Sequence, residues 1–128
     1  MTLEPLHRTV PARPEVVTQL RAELVDYAES AGVANPHGLA VAVSETVTNV
    51  IVHAYVGEEP GEIEVSAQAH DGEVRLTICD RGRGMIPRPD SPGLGLGLPL
   101  IAHFSDRFEI ADAPGGGTTV LMSFARAG

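Results

Sequence analysis

LAVAVSETVTNVIVHAY, residues 39–55, is the most informative stretch of this 128-residue chain. At about 100° per residue, one side of the predicted helix carries small apolar residues that can pack on a sheet: Val43, Val47, Val50 and Ala54. Glu45 and Asn49 lie one turn apart on nearly the opposite side, bordered by other apolar residues. A carboxylate and an amide in such surroundings indicate a sheltered polar site.

The chemistry that Glu45 and Asn49 could perform is specific. An Asn side-chain oxygen is a neutral, hard ligand of the kind that Mg²⁺ takes alongside phosphate oxygens. A Glu one turn away, held off the metal, could accept a proton from a water or a hydroxyl. The pair could equally be two ordinary polar residues of an amphipathic helix, because the spacing Glu-x-x-x-Asn is common by chance. This motif alone leaves both interpretations open.

The remaining elements predict the fold class. Their expected ranges are a weak strand over 3–10, a helix from Pro14 to Ala31, alternating strands over 62–69 and 74–78, a short helix over 98–104, and strands over 107–112 and 118–124. Asp71-Gly72 predicts a hairpin between the two alternating strands. The order predicts one α+β domain over residues 1–128, a two-layer α/β sandwich with helices on one face of a mixed β-sheet.

Composition excludes several classes of function. The net charge of -8 argues against nucleic acid as a partner. All nine basic residues are arginines, which excludes a P-loop lysine and a Schiff-base lysine. Cys79 is the single cysteine, so it cannot form an internal disulfide, and no apolar stretch resembles a signal peptide or a membrane span. We therefore expect a cytoplasmic protein that does not contact a membrane.

Asp80 and the glycines that follow it, Gly82 and Gly84, predict a site for a flat ligand. Asp80 comes directly after the alternating strand, and the two glycines let the backbone turn tightly. Its carboxylate could then accept a hydrogen bond from an exocyclic amine such as that of adenine. The alternative is a simple turn, in which Asp and Gly are favoured residues.

A second glycine series predicts an anion site. Gly93, Gly95 and Gly97 lead into a helix and leave backbone N–H groups free at its start, where phosphate can bind without lysine. Leu98 breaks the dinucleotide-binding pattern, and a plain flexible loop would also explain the glycines, though not the alternating leucines. Residues 117–119, Gly-Thr-Thr, offer hydroxyls or simply begin a strand.

The ordered set of motifs resembles the Bergerat-fold (GHKL) ATPases, the superfamily of gyrase and the histidine kinases. The motifs that carry this resemblance are Glu45-x3-Asn49-x3-His53-Ala54-Tyr55, Asp80-x-Gly82-x-Gly84, Gly93-x-Gly95-x-Gly97 and Gly117-Thr118-Thr119. The first motif, in a domain without a phosphoacceptor helix, resembles the bacterial anti-sigma-factor serine/threonine kinases of the RsbW type.

This resemblance implies ATP and Mg²⁺ as cofactors and a role for each motif residue. The implied roles are Glu45 as general base, Asn49 as Mg²⁺ ligand, Asp80 as adenine-binding acid, Gly82 and Gly84 as walls of the base pocket, Gly93, Gly95 and Gly97 as a lid over the phosphates, and Thr118 as support for the adenine end.

The resemblance also implies an activity and partners. The enzyme would transfer the γ-phosphate of ATP to a Ser or Thr of an anti-sigma-factor antagonist of the STAS fold, would hold a sigma factor inactive, and would form a homodimer. One alternative is a nucleotide-binding module that sequesters a regulator without phosphotransfer, and another is an ATPase subunit of a larger machine. Glu45 favours the kinase, because a sequestering module needs no base at that position.

Overall fold

The elements of the fold come from a computed structural model that describes residues 3–54, 61–82, 98–113 and 116–127. The strands are β1 Leu6–Pro11, β2 Glu62–Ala69, β3 Glu73–Asp80, β4 Arg107–Asp112 and β5 Thr118–Ala125. The helices are α1 Val16–Ala31, α2 Pro36–Asn49 and α3 Leu98–Phe104, and a π-helical turn, Val50–Ala54, follows α2. The α+β class predicted from the sequence is confirmed.

The strands in the described part of the chain form one five-stranded sheet in the order β1-β2-β3-β5-β4, and every neighbouring pair among them is antiparallel. This corrects the expected mixed sheet. Strands β2 and β3 form one hairpin, and β4 and β5 form another. In the sheet, β5 lies between β3 and β4. The strands that run in the same direction therefore never become neighbours.

One face of the sheet is buried and the helices cover that face, as the sequence predicted. Side chains along β2 and β3 alternate between buried and accessible, and the register places Val65 opposite Ile78 within the core. Leu76 faces Met122 of β5 in the same layer. Complete burial of such an aliphatic side chain stabilises the fold by about 1.5–3 kcal/mol.

Helix α2 begins earlier and ends earlier than the sequence pattern predicted. Asn35 caps it by accepting the N–H of Gly38 at 3.0 Å, and Pro36 occupies the first turn, where a proline costs no hydrogen bond. The α-helix ends at Asn49, and the chain continues as the π-helical turn rather than as α-helix. Such turns occur often at functional sites in proteins.

Helix α1 ends at Ala31 and is capped by Gly32, which adopts a left-handed conformation with φ of 75°. Arg126 secures this end, because its Nε donates to the carbonyl oxygen of Ala31 at 2.6 Å. Its Nη1 donates to the carbonyl oxygen of His70 in the β2–β3 turn. None of the described helices is long and apolar enough to cross a membrane.

Candidate functional site

Asp80 is the last residue of β3, and only 1% of its surface is exposed. The register pairs it with the buried Ile63, so its side chain lies on the helix-covered side of the sheet. Its Oδ1 accepts a hydrogen bond from the N–H of Gly82 at 3.0 Å. Its Oδ2 is also buried and has no hydrogen-bond partner among the described residues. Because buried carboxylate oxygens in proteins are nearly always hydrogen-bonded, this oxygen suits a donor group on a ligand.

The electrostatic environment of Asp80 is set by burial and by two backbone donors. Loss of solvent raises the pKa of the carboxyl above its ordinary value, and the N–H groups of Gly82 and Thr118 lower it in part. Thr118 is itself buried at the start of β5. The structure therefore brings together Asp80, Gly82 and Thr118, three of the residues that the sequence placed at the adenine end.

Gly117 belongs to the same cluster, although its motif in the sequence implied no role for Gly117 itself. Its φ is +89°, and a Cβ atom built on it would lie 2.0 Å from the carbonyl oxygen of Asp80. The backbone at Gly117 thus lies directly against the end of β3. The sequence signal was the run Gly115-Gly116-Gly117, which indicates a turn but not what the turn touches.

The two predicted residues of α2 lie in different surroundings. Asn49, the last residue of the helix, is only 5% exposed, so it is sheltered from solvent as the sequence predicted. Glu45 is half-buried and lines a groove of about 390 Å³ between α1 and α2, together with Arg21 and Ser44. Arg21 Nη1 lies 3.4 Å from Ser44 Oγ, as a long hydrogen bond across this groove. No pattern in the sequence connects Arg21 with the site, because its contact with α2 depends on how the two helices pack.

Several predicted site residues cannot be placed. Gly84, Gly93, Gly95 and Gly97 lie outside the described residues, as does Tyr55. The lid over the phosphates therefore stays a prediction from sequence. Helix α3, which the last of these glycines precedes, begins at Leu98 as expected.

The donor set around α2 fits a magnesium ion held mainly by phosphate. Within the part of the chain that the structure describes, no three His, Cys, Asp or Glu side chains form a metal cluster. Magnesium takes hard oxygen ligands and uses few protein side chains when phosphate oxygens are present. The amide oxygen of Asn49, on a sheltered helix end, is a ligand of that type.

Several proteins named anti-sigma F factor are similar in sequence to this chain. The anti-sigma F factor of Pasteuria penetrans is 37% identical over 93 residues, which are 62% of this chain and 61% of that protein. The anti-sigma F factors of Clostridium beijerinckii and of Clostridium botulinum strain Eklund 17B are 33% and 37% identical over 92 residues, covering 63% of this chain and 64% of each relative. The match thus spans somewhat less than two thirds of these relatives' lengths.

A solved structure shares the fold of nearly the whole chain. It is the crystal structure of the RsbU and RsbW domains of Rv1364c from Mycobacterium tuberculosis, with a TM-score of 0.74 and 26% sequence identity. The match covers 98% of this chain and 34% of that one. The family model described as the histidine kinase-like ATPase domain matches residues 10–124, and an ATPase domain implies an ATP site. The chain therefore belongs to the histidine kinase-like ATPase domain family.

Proposed function

We propose that this protein is a cytoplasmic, ATP- and Mg²⁺-dependent serine/threonine kinase that acts as an anti-sigma factor. It transfers the γ-phosphate of ATP to a Ser or Thr hydroxyl of an antagonist protein of the STAS fold. It also binds a sigma factor, and it works as a homodimer. The relatives named anti-sigma F factors support the sigma-factor part of this proposal.

The observation that carries the proposal is the buried carboxylate of Asp80. Oδ1 is held by the N–H of Gly82, which leaves Oδ2 to accept a hydrogen from the 6-amino group of adenine. The N–H of Thr118 stabilises the same carboxylate, which supports the assignment of Thr118 to the adenine end. A fixed acceptor of this kind favours adenine over bases that present an oxygen at the same position.

The phosphate end is assigned to α2. The amide oxygen of Asn49 would hold Mg²⁺, which when bound neutralises negative charge on the phosphate oxygens. Glu45 lies one turn earlier, at the groove between α1 and α2 that Arg21 and Ser44 also line. Its carboxylate accepts the proton of the acceptor hydroxyl as that oxygen bonds to the γ-phosphorus. The bond from the γ-phosphorus to the bridging oxygen breaks at the same time, and ADP leaves.

The test is a phosphotransfer assay with γ-labelled ATP, Mg²⁺ and each STAS-fold protein of the same organism. The expected result is a label on one Ser or Thr of one partner, which disappears when that residue is replaced by Ala. A sigma-factor pull-down in the presence of ATP tests the second activity. A protein that binds ATP and both partners and never transfers label would instead be the sequestering module.

A further inference from the structure

We infer that Gly117 is a positioning residue that determines which base the nucleotide site accepts. Its close approach to β3 holds the Asp80 carboxylate at the position where it accepts a 6-amino group and excludes a 6-oxo group. The inference rests on the proposed nucleotide site and extends it from the acid that contacts the base to the turn that places this acid.

The contact between Gly117 and β3 involves only backbone atoms. A Cβ on Gly117 would lie 2.0 Å from the carbonyl oxygen of Asp80, and 2.7 Å from both the carbonyl carbon of Asp80 and the Cα of Arg81. Nonbonded heavy atoms pack at about 3.5–4.0 Å. A side chain at position 117 would therefore displace the Asp80–Arg81 peptide, because no flexible side chain is present to give way.

The turn that carries Gly117 is tied at its base. The N–H of Ala113 donates to the carbonyl oxygen of Gly117 at 3.1 Å, and the N–H of Gly116 donates back to the carbonyl oxygen of Ala113 at 3.1 Å. Next to this turn, Asp112 and Thr118 are paired in the β4–β5 register. Since β5 also pairs with β3, the turn cannot move away without disturbing the sheet.

A displacement of the Asp80–Arg81 peptide against Gly117 would disturb both backbone donors of the Asp80 carboxylate. Thr118, which follows Gly117, and Gly82, which follows Arg81, are the two backbone donors that act on the Asp80 carboxylate. Hydrogen bonds weaken steeply when distance and angle depart from their optimum. A shift of the peptide would therefore reduce the discrimination between a 6-amino and a 6-oxo purine before it abolished folding.

Gly116 provides a matched control. It also has a positive φ, of +109°, but a Cβ there would meet nothing within 4 Å. Gly116→Ala and Gly117→Ala therefore both place a side chain at a positive φ, and they differ in the contact with Asp80. The measurement is calorimetric binding of ADP and of IDP, which has oxygen in place of the 6-amino group, to the wild type and to both variants.

The wild type should bind ADP at least about tenfold more tightly than IDP, since a site that hydrogen-bonds one group rejects the analogue lacking it. Gly116→Ala should keep this ratio, and Gly117→Ala should bring it close to one. In the background of Asp80→Asn, Gly117→Ala should change the ratio no further. This last result distinguishes an effect through Asp80 from a general loosening of the fold.

Ala113→Pro covers the case in which Gly117→Ala does not fold. It removes the hydrogen bond that holds the Gly117 carbonyl and leaves position 117 without a side chain, and it should lower the ratio as well. If the wild type binds both nucleotides equally, the proposed adenine recognition fails together with this inference. If the wild type discriminates and both Gly117→Ala and Ala113→Pro retain its ratio, only this inference is overturned. Equal losses in Gly116→Ala and Gly117→Ala would also overturn it.

Discussion

Asp80 accepts the backbone N–H of Gly82, two residues further along the chain, through Oδ1 at 3.0 Å. The chain thus satisfies one carboxylate oxygen with its own turn, whereas Oδ2 has no hydrogen-bond partner among the described residues. This hydrogen bond fixes the orientation of the side chain, so the binding of adenine proposed for Asp80 would cost little conformational entropy at this residue.

The first prediction concerns Asp80→Asn. The amide can place an N–H where the carboxylate presents an acceptor to adenine, so ADP affinity should fall. A hydrogen bond to a charged group contributes about 1.5–3 kcal/mol, which corresponds to roughly 10- to 100-fold in affinity. Calorimetry with ADP measures the change, and Asp71→Asn in the exposed β2–β3 turn is the control. Unchanged affinity in folded Asp80→Asn would remove Asp80 from the adenine site.

The second prediction is a pH dependence of stability. Because burial raises the pKa of Asp80, the folded protein keeps a proton on this carboxyl at pH values where the unfolded chain has lost it. The unfolded state then binds fewer protons, so the contribution of Asp80 to the free energy of unfolding falls as the pH rises from the unfolded pKa through the folded pKa.

Asp80→Asn lacks this titration. The free energy of unfolding of the variant, minus that of the wild type, should therefore increase across the same pH window and level off above it. Urea unfolding of both proteins from about pH 3 to pH 7 measures this difference. A difference that stays constant with pH would show that the carboxyl does not titrate abnormally.

The third prediction concerns Asn49→Ala. The variant should lose the Mg²⁺-dependent part of its ATP affinity, because alanine offers no oxygen ligand. Asn49 is buried, so the substitution should also cost about 1–3 kcal/mol of stability through lost hydrogen bonding. ATP titrations with and without Mg²⁺ on folded protein make the comparison. Thr48→Ala, at an exposed neighbour on the same helix, is the control. An intact Mg²⁺ effect would contradict the assignment.

The fourth prediction concerns Glu45→Gln. Glutamine keeps the size of the side chain but is not a useful base, so single-turnover phosphotransfer to the protein partner should fall about 10²- to 10⁴-fold. ATP and partner binding should persist, because neither requires a proton acceptor. Glu29→Gln makes the same chemical change at an exposed position of α1 and should leave the rate unchanged. A wild-type rate in Glu45→Gln would exclude Glu45 as the base.

The fifth prediction concerns Arg126→Met. Methionine retains much of the apolar stem but cannot donate to the carbonyl oxygens of Ala31 and His70. Hydrogen bonds to charged groups contribute about 1.5–3 kcal/mol each, and since Arg126 is half-buried we expect a total loss of about 2–3 kcal/mol. Urea unfolding measures it, with the exposed Arg13→Met as reference. Equal stabilities of the two variants would show that these contacts contribute little.

Local patterns predicted most of the secondary structure. The alternation around Asp71-Gly72 predicted the β2–β3 hairpin, and the strand expected over 107–112 matches β4. These features depend on side-chain period and on turn chemistry, which are written in neighbouring residues. The position of Asp80 at a strand end followed from the same alternation.

Features that depend on distant contacts were not predictable in this way. The antiparallel pairing follows from the position of β5 between β3 and β4. The residues of β5 do not indicate which strands it pairs with. The change to π-helical geometry after Asn49 occurs in a segment that contains neither proline nor glycine, so the pattern predicted continuous α-helix. The approach of Gly117 to Asp80 joins positions 37 residues apart in sequence and became visible only in three dimensions.

The position of β5 in the sheet has a consequence for how the protein is made. It is the last described strand to be synthesised, yet it lies between β3 and β4, and its pairing joins Cys79 with Thr119 and Glu73 with Ala125. Contacts between such distant residues form slowly, because a long loop must close first. While β5 is still inside the ribosome, Asp80 lacks the N–H of Thr118. If Asp80 and Thr118 form the adenine site as proposed, a nascent chain binds nucleotide there only after this strand has emerged and inserted.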